Sequence, residues 1–189
     1  CTGDAVTGGA ANTAVGANAL GSNLNGNSNV AIGALALSVS ICDQNVAVGN
    51  GAGCTVTTGT QNVLVGYLAG ATFTSAIGNT VVGWNAMPVA TIGCTTAMGS
   101  SALQALTVGQ LNTAVGYNAG LSVVSNSNNA FFGACAGRLQ TSANNTAVGA
   151  CALANSGVNN NTGLGYNAGA ALTTGGSNTF VGAAAGDNA

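Results

Sequence analysis

Few side chains in this chain could do chemistry. They are six cysteines, three aspartates and one arginine, and the sequence contains no histidine, glutamate or lysine. General acid–base catalysis needs a titratable group poised near the working pH, and a nucleophilic serine or cysteine needs a base beside it. Asp4, Asp43, Asp187 and Arg138 stand alone in the sequence, so we expect each to solvate a loop or an end. We therefore expect no catalytic activity and no cofactor.

The six cysteines could in principle bind a metal or form disulfides. A zinc site usually shows cysteines paired two residues apart, and no pair in this chain has that spacing. Disulfides in an oxidising compartment suit these cysteines better. The sequence begins with cysteine rather than methionine, which fits a mature product or a fragment that has lost a leader. We expect an extracellular or cell-surface protein without a metal site.

Charge and hydropathy exclude two classes of partner. Binding to nucleic acid requires clustered lysine and arginine, whereas this chain has one such residue and a formal net charge of −2. A membrane-spanning helix needs about 18 consecutive apolar residues, and asparagine, serine or threonine interrupts every apolar run here. We expect neither a nucleic-acid partner nor a membrane span.

The elements that carry these residues are set by a short repeat. The phrase "NTAVGYNAG" at 112–120 returns as "NTGLGYNAG" at 161–169, and the first glycine of each phrase serves as a marker. The eleven markers, separated by 16 or 17 residues, are Gly16, Gly33, Gly49, Gly66, Gly83, Gly99, Gly116, Gly133, Gly149, Gly165 and Gly182. Such a strict period is typical of a solenoid, in which each coil meets only its neighbours.

Positions are counted below from the marker, so position −1 precedes it. Position −1 is apolar in every repeat, and we expect it to face the core. Position +3 is alanine in every repeat, which indicates a tight fold of the coil. Position −4 is asparagine except at Thr95, and stacked side-chain amides can bond along the solenoid axis and satisfy corner carbonyls. The predicted structural ladder is Asn12, Asn29, Asn45, Asn62, Asn79, Asn112, Asn129, Asn145, Asn161 and Asn178.

Each phrase predicts a short strand followed by a corner rich in glycine and asparagine. A helical repeat is disfavoured because the period is too short for two helices and Gly, Asn, Thr and Val are poor helix formers. We predict an all-β fold, a parallel β-solenoid (β-roll or β-helix) of eleven 16–17-residue coils with two or three short strands per coil. Residues 1–189 should form one domain, with repeats over about 12–186.

The phrase A-[VI]-G-x-x-A, present as "AVGANA" at 14–19, "AIGALA" at 31–36 and "AVGYNA" at 114–119, resembles the head repeats of trimeric autotransporter adhesins. Related phrases occur in phage and viral tail fibres. The resemblance implies a left-handed parallel β-roll and packing of three copies into a trimer. The adhesin heads use a shorter coil of about fourteen residues and generally lack cysteines.

Two sets of residues have candidate roles beyond packing. Cys135 and Cys151 stand at position +2 of consecutive repeats, which predicts Cα atoms about 4.8 Å apart and a disulfide or van der Waals contact. Cys1 extrapolates to the same phase, while Cys42, Cys54 and Cys94 have no predicted partner. Aromatic residues at position +1 could contact glycans or a partner protein, or merely cover the surface. They are Tyr67, Trp84, Tyr117 and Tyr166.

These features favour a structural extracellular protein, a self-assembling subunit of a filament or adhesin-like fibre. Its main partner would be itself, as a homopolymer by end-to-end stacking or as a homotrimer, with surface glycans as a further ligand. End-to-end stacking is expected because about eleven residues before the first phrase and three after the last leave no room for a cap. An ice-binding β-solenoid, a secreted functional amyloid and a phage tail-fibre segment remain alternatives. The ice-binding alternative needs regular threonine arrays, and position −3 is threonine in only part of the repeats.

Overall fold

The computed structural model describes residues 8–23 and 25–187, and it confirms the predicted parallel β-solenoid. Each described coil contributes one three-residue strand that ends just before its marker glycine. The strands are β1 (Thr13–Val15), β2 (Val30–Ile32), β3 (Val46–Val48), β4 (Val63–Val65), β5 (Thr80–Val82), β6 (Thr96–Met98), β7 (Thr113–Val115), β8 (Ala130–Phe132), β9 (Thr146–Val148), β10 (Thr162–Leu164) and β11 (Thr179–Val181). No helix in the described ranges has the length and apolar character needed to cross a membrane.

The chain divides after residue 94 into two compact units, the first containing β1 to β5 and the second β6 to β11. Within each unit, successive strands pair in parallel and in register, as Val30 with Val46 in the first and Thr113 with Ala130 in the second. Steps of 16 and of 17 residues both keep this register, so the extra residue is accommodated outside the strand. The prediction of a single domain over 1–189 stays a prediction.

Four backbone positions with positive φ turn each coil. The marker glycines have φ between 121° at Gly182 and 142° at Gly83, a region open to glycine but not to other residues. Positions −5, +2 and +4 are left-handed, with φ from 36° at Met87 to 71° at Gly186, although many of them carry side chains. Each described coil forms one strand, at positions −3 to −1, so the expectation of two or three short strands per coil was wrong.

The core differs from the predicted one at the strand. Position −2 points inward and is fully buried at Ala31 and Phe131, whereas position −1 of the same strands points outward, with Ile32 39% and Phe132 43% exposed. The prediction that position −1 faces the core was wrong. Side chains alternate along a strand, so burying position −2 turns −3 and −1 outward. The inward position −2 holds alanine in most coils and larger residues such as Leu64 and Phe131 in others.

Three further positions complete the core of each unit. The alanines at +3 are fully buried from Ala19 to Ala168, and positions +4 and +7 add larger side chains such as Leu103 and Phe73. Core volumes compensate between neighbouring coils. Phe131 is fully buried where positions +4 of its own and the preceding coil are Gly137 and Gly120, and a Cβ on either glycine would collide with its ring. Bulk at −2 is thus matched by glycine at +4.

Candidate interaction face

The outward side chains of the strands form one surface in each unit, which we call the strand face: positions −3 and −1 of every strand. In the first unit it comprises Thr13, Val15, Val30, Ile32, Val46, Val48, Val63, Val65, Thr80 and Val82. In the second it comprises Thr96, Met98, Thr113, Val115, Ala130, Phe132, Thr146, Val148, Thr162, Leu164, Thr179 and Val181. Each residue is partly or fully exposed to solvent, and none is charged.

Large apolar side chains on this face are well exposed. Met98, Phe132 and Leu164 of the second unit are 41%, 43% and 46% exposed, and Ile32 of the first is 39% exposed. Parallel strands lie about 4.8 Å apart, so the side chains of one position form a close-set row. Contiguous apolar surface of this kind marks an interaction site more often than scattered single residues do. The strand face is thus a charge-free strip of apolar groups and threonine hydroxyls.

The four predicted contact aromatics lie beside this face. Tyr67, Trp84, Tyr117 and Tyr166 are 49%, 55%, 59% and 61% exposed, and they are all the tyrosine and tryptophan of the chain. In the first unit, Tyr67 and Trp84 occupy neighbouring coils, since the backbone N–H of Asn85 donates to the carbonyl of Tyr67 at 2.9 Å. In the second unit, two coils with alanine at this position separate Tyr117 from Tyr166. Their predicted role in glycan or partner contact stays a prediction.

The asparagines at position −4 bond to one another along each unit. In the first unit, Asn62 Oδ1 accepts from both the backbone N and Nδ2 of Asn79 at 3.0 Å, while Asn62 Nδ2 donates to the carbonyl of Ala76 at 2.7 Å. The same pattern links Asn129 to Asn145 in the second unit. Asn29 to Asn79 and Asn112 to Asn161 are at most 1% exposed. A buried, hydrogen-bonded ladder of this kind holds neighbouring coils together.

All five described cysteines are free thiols, and Cys1 lies outside the described residues, as does Asp4. Cys42 Sγ donates to the carbonyl of Gly59 at 2.6 Å, and Cys54 Sγ to that of Ala71 at 3.2 Å. Burial raises the pKa of the Cys54 thiol. Cys94 is exposed at a left-handed corner, with φ 61°.

Cys135 and Cys151 lie beside each other, as their equal phase in consecutive repeats predicts. They occupy position +2 of neighbouring coils, whose strands β8 and β9 pair in register. Burial raises the pKa of Cys151, the neighbouring Cys135 raises it further, and the positive charge of Arg138 lowers it in part. A disulfide between the two stays a prediction, because the structure describes them as thiols.

None of the described charged residues belongs to the strand face. Asp43 Oδ1 accepts from the backbone N of Asn27 at 2.6 Å and from its Nδ2 at 3.1 Å, which ties two exposed turns of neighbouring coils together. Arg138 is exposed and Asp187 is half-buried. Within residues 8–23 and 25–187 there is no pocket and no group of three or more histidine, cysteine or acidic side chains that could hold a metal ion. The candidate site is therefore a surface and not a cleft.

Sequence reasoning missed the strand face because it placed position −1 inside. One signal could have found it: position −2 varies in size from glycine to phenylalanine, as an interior with compensation by neighbouring positions allows, whereas position −1 is a large apolar residue in every repeat. No protein-family profile, curated protein or solved structure matches this chain.

Proposed function

We propose that this chain is a structural β-solenoid of an extracellular fibre, and that copies of it associate laterally through the strand face. The observation that carries the proposal is the outward row of apolar side chains at position −1, exemplified by Met98, Phe132 and Leu164 at 41–46% exposure. A soluble protein that worked alone would be expected to place polar residues there. Association would remove this surface from water, a gain of about 25 cal/mol for each Å² of apolar area.

Two further properties support self-association. The strand face carries no charge, so two copies would bring no like charges together and would bury no unpaired ion. The face is also built on strands fixed by parallel pairing to both neighbours, so little conformational entropy is lost on docking. The phrases that resemble adhesin heads and tail fibres agree with a fibre in which several chains pack side by side.

The experiment is sedimentation equilibrium of the chain with matched lysine variants in the second unit. Phe132→Lys with Leu164→Lys places two charges on the strand face, and we expect the double variant to be monomeric at concentrations where the natural sequence associates. The control is Val108→Lys with Val124→Lys, whose valines are 52% and 49% exposed on another side of the coil. This control should associate as the natural chain does. A natural chain that stays monomeric at high concentration would contradict the proposal.

An ice-binding role is the second candidate, and the orientation of position −3 favours it. In the second unit, the −3 residues are threonine at 96, 113, 146, 162 and 179, and they share the strand face with the −1 residues. Regular hydroxyl and methyl groups about 4.8 Å apart could order water into an ice-like layer. Ala130 interrupts the row of threonines at position −3, and the bulky ring of Phe132 stands on the same strand at position −1. Both features weigh against this role. Thermal hysteresis that Thr146→Lys abolishes would support ice binding and set it above the fibre proposal.

A further inference from the structure

The thiols of Cys135 and Cys151 form a preorganised dithiol on the second unit. Their coils are neighbours in register, since Phe132 of β8 pairs with Val148 of β9, and each cysteine stands three residues beyond its member of that pair. Both residues have φ 57°, so their Cα–Cβ bonds leave equivalent backbones in the same direction. Equivalent residues of paired coils have Cα atoms about 4.8 Å apart, inside the usual 4.4–6.8 Å range of a disulfide.

The backbone on both sides of the pair is already fixed. The N–H of Cys135 donates to the carbonyl of Tyr117 at 2.8 Å, and the N–H of Cys151 donates to the carbonyl of Ala134 at 2.9 Å. The following alanines, Ala136 and Ala152, are fully buried. The solenoid therefore fixes the two backbones at equivalent positions of neighbouring coils while both side chains are thiols. Their Cα separation already suits a disulfide.

We propose that Cys135 and Cys151 are a reversible redox modification site, at which a small-molecule disulfide such as glutathione disulfide oxidises the folded protein and clasps two neighbouring coils. The thiolate of one cysteine attacks a sulfur of glutathione disulfide, forming a mixed disulfide and releasing one glutathione. The thiolate of the other cysteine then attacks the protein-bound sulfur, forming the Cys135–Cys151 bond and releasing the second glutathione. The two protons lost by the cysteines end on the two glutathione thiols.

The remaining described cysteines do not share this arrangement. The sulfur of Cys42 donates to the carbonyl of Gly59 and contacts Ser40 Oγ at 3.2 Å, and the sulfur of Cys54 donates to the carbonyl of Ala71. Cys94 is exposed at a corner. Oxidation by glutathione disulfide should thus yield an internal disulfide at the Cys135–Cys151 pair and at most mixed disulfides at Cys42, Cys54 and Cys94.

The sequence offers a clean readout. Arg138 is the one basic residue of the chain, so trypsin cuts only after it, between the two cysteines, and Cys151 is the one cysteine on the C-terminal side of that cut. The folded protein is incubated with glutathione disulfide, its free thiols are blocked with N-ethylmaleimide in denaturant, and the chain is cut with trypsin. We expect fragments 1–138 and 139–189 to stay joined until dithiothreitol is added.

Matched variants identify the bond. Cys135→Ser should release the fragments, and Cys94→Ser should leave them joined. Since Cys135→Ser could disturb its coil, tandem mass spectrometry of the natural oxidised chain should also locate the cross-link at Cys135 and Cys151. Oxidation should raise the midpoint of thermal unfolding by about 5–10 °C, because the bond closes a loop of about 15 residues. Separate fragments with glutathione on Cys151, or a linkage that persists in Cys135→Ser, would overturn the proposal.

Discussion

The side-chain oxygen of Asn129 accepts a hydrogen bond from the backbone N of Asn145 at 2.9 Å, and a weaker one from its Nδ2 at 3.4 Å. Asn129 in turn donates through Nδ2 to the carbonyl of Ser142 at 3.1 Å and through its backbone N to Asn112 Oδ1 at 3.0 Å. The Asn129 side chain thereby bonds twice to the following coil, while its backbone N bonds to the preceding one, at a site that is 1% exposed. This arrangement needs an amide, because a single side chain must both donate and accept.

Asn129→Asp should therefore be strongly destabilising. The carboxylate keeps the acceptor for Asn145 but loses the donor to Ser142, and it buries a charge without a partner. We expect a loss of about 3–5 kcal/mol in the free energy of unfolding by urea titration. Asn118→Asp is the control, since Asn118 is partly exposed at a corner, and it should cost less than about 1 kcal/mol. Equal losses in the two variants would show that the amide ladder is not what holds the coils.

Substitution of a marker glycine by alanine should be destabilising. Gly133 has φ 137°, and a Cβ there would stand 2.6 Å from the carbonyl carbon and oxygen of Gly149 in the next coil. Gly133→Ala should cost about 2–4 kcal/mol, measured by chemical denaturation, through backbone strain and this collision. Gly157→Ala is the matched control because its nearest neighbour would be Thr141 Oγ1 at 3.5 Å, with no left-handed φ. It should change stability by less than about 0.5 kcal/mol, and a loss as large as that of Gly133→Ala would argue against the close coil stacking.

Neighbouring substitutions in β7 test which way the strand faces. Ala114 is fully buried, whereas Val115 is partly exposed. Ala114→Asp should unfold its unit or cost more than about 3 kcal/mol, because no base is near to compensate the buried carboxylate. Val115→Asp should cost about 1 kcal/mol or less in dilute solution, mainly through strand propensity. The midpoint of thermal unfolding is measured for both variants. A larger decrease for Val115→Asp than for Ala114→Asp would show that position −1 faces the core.

The sequence was informative at positions where the same residue type makes the same contact in every coil. The 16–17-residue period, the alanine at +3 and the asparagine at −4 predicted coils, tight packing and an amide ladder, because each position has a fixed neighbour in the next coil. Pattern reasoning failed in the strand, since "TAV" reads equally well with valine inside or alanine inside. It also missed the left-handed corners at Leu37 and Leu103, because leucine carries no signal for positive φ.

The candidate site was harder to predict than the fold for the same reason. The sequence shows which residues stand at positions −3 and −1, but not that they are exposed. They are exposed because position −2 points into the core. Cys135 and Cys151 were an exception, because their equal phase in consecutive repeats needs only the period to place them side by side. A surface formed by alternate residues of a strand is predicted wrongly when the inward residue is misassigned by one position. A contact between equivalent positions of neighbouring coils is still predicted correctly.

Association through the strand face is tested most directly by hydroxyl-radical footprinting at increasing protein concentration, with mass spectrometry of the modified residues. Met98, Phe132 and Leu164 report on the face, and Val108 and Leu111, which are 52% and 59% exposed, report on other surfaces of the second unit. We expect modification of Met98, Phe132 and Leu164 to fall several-fold as the chain associates, while Val108 and Leu111 react at an unchanged rate. Constant reactivity of the strand face across an association measured in the same samples, or protection confined to Val108 and Leu111, would contradict lateral assembly through this face.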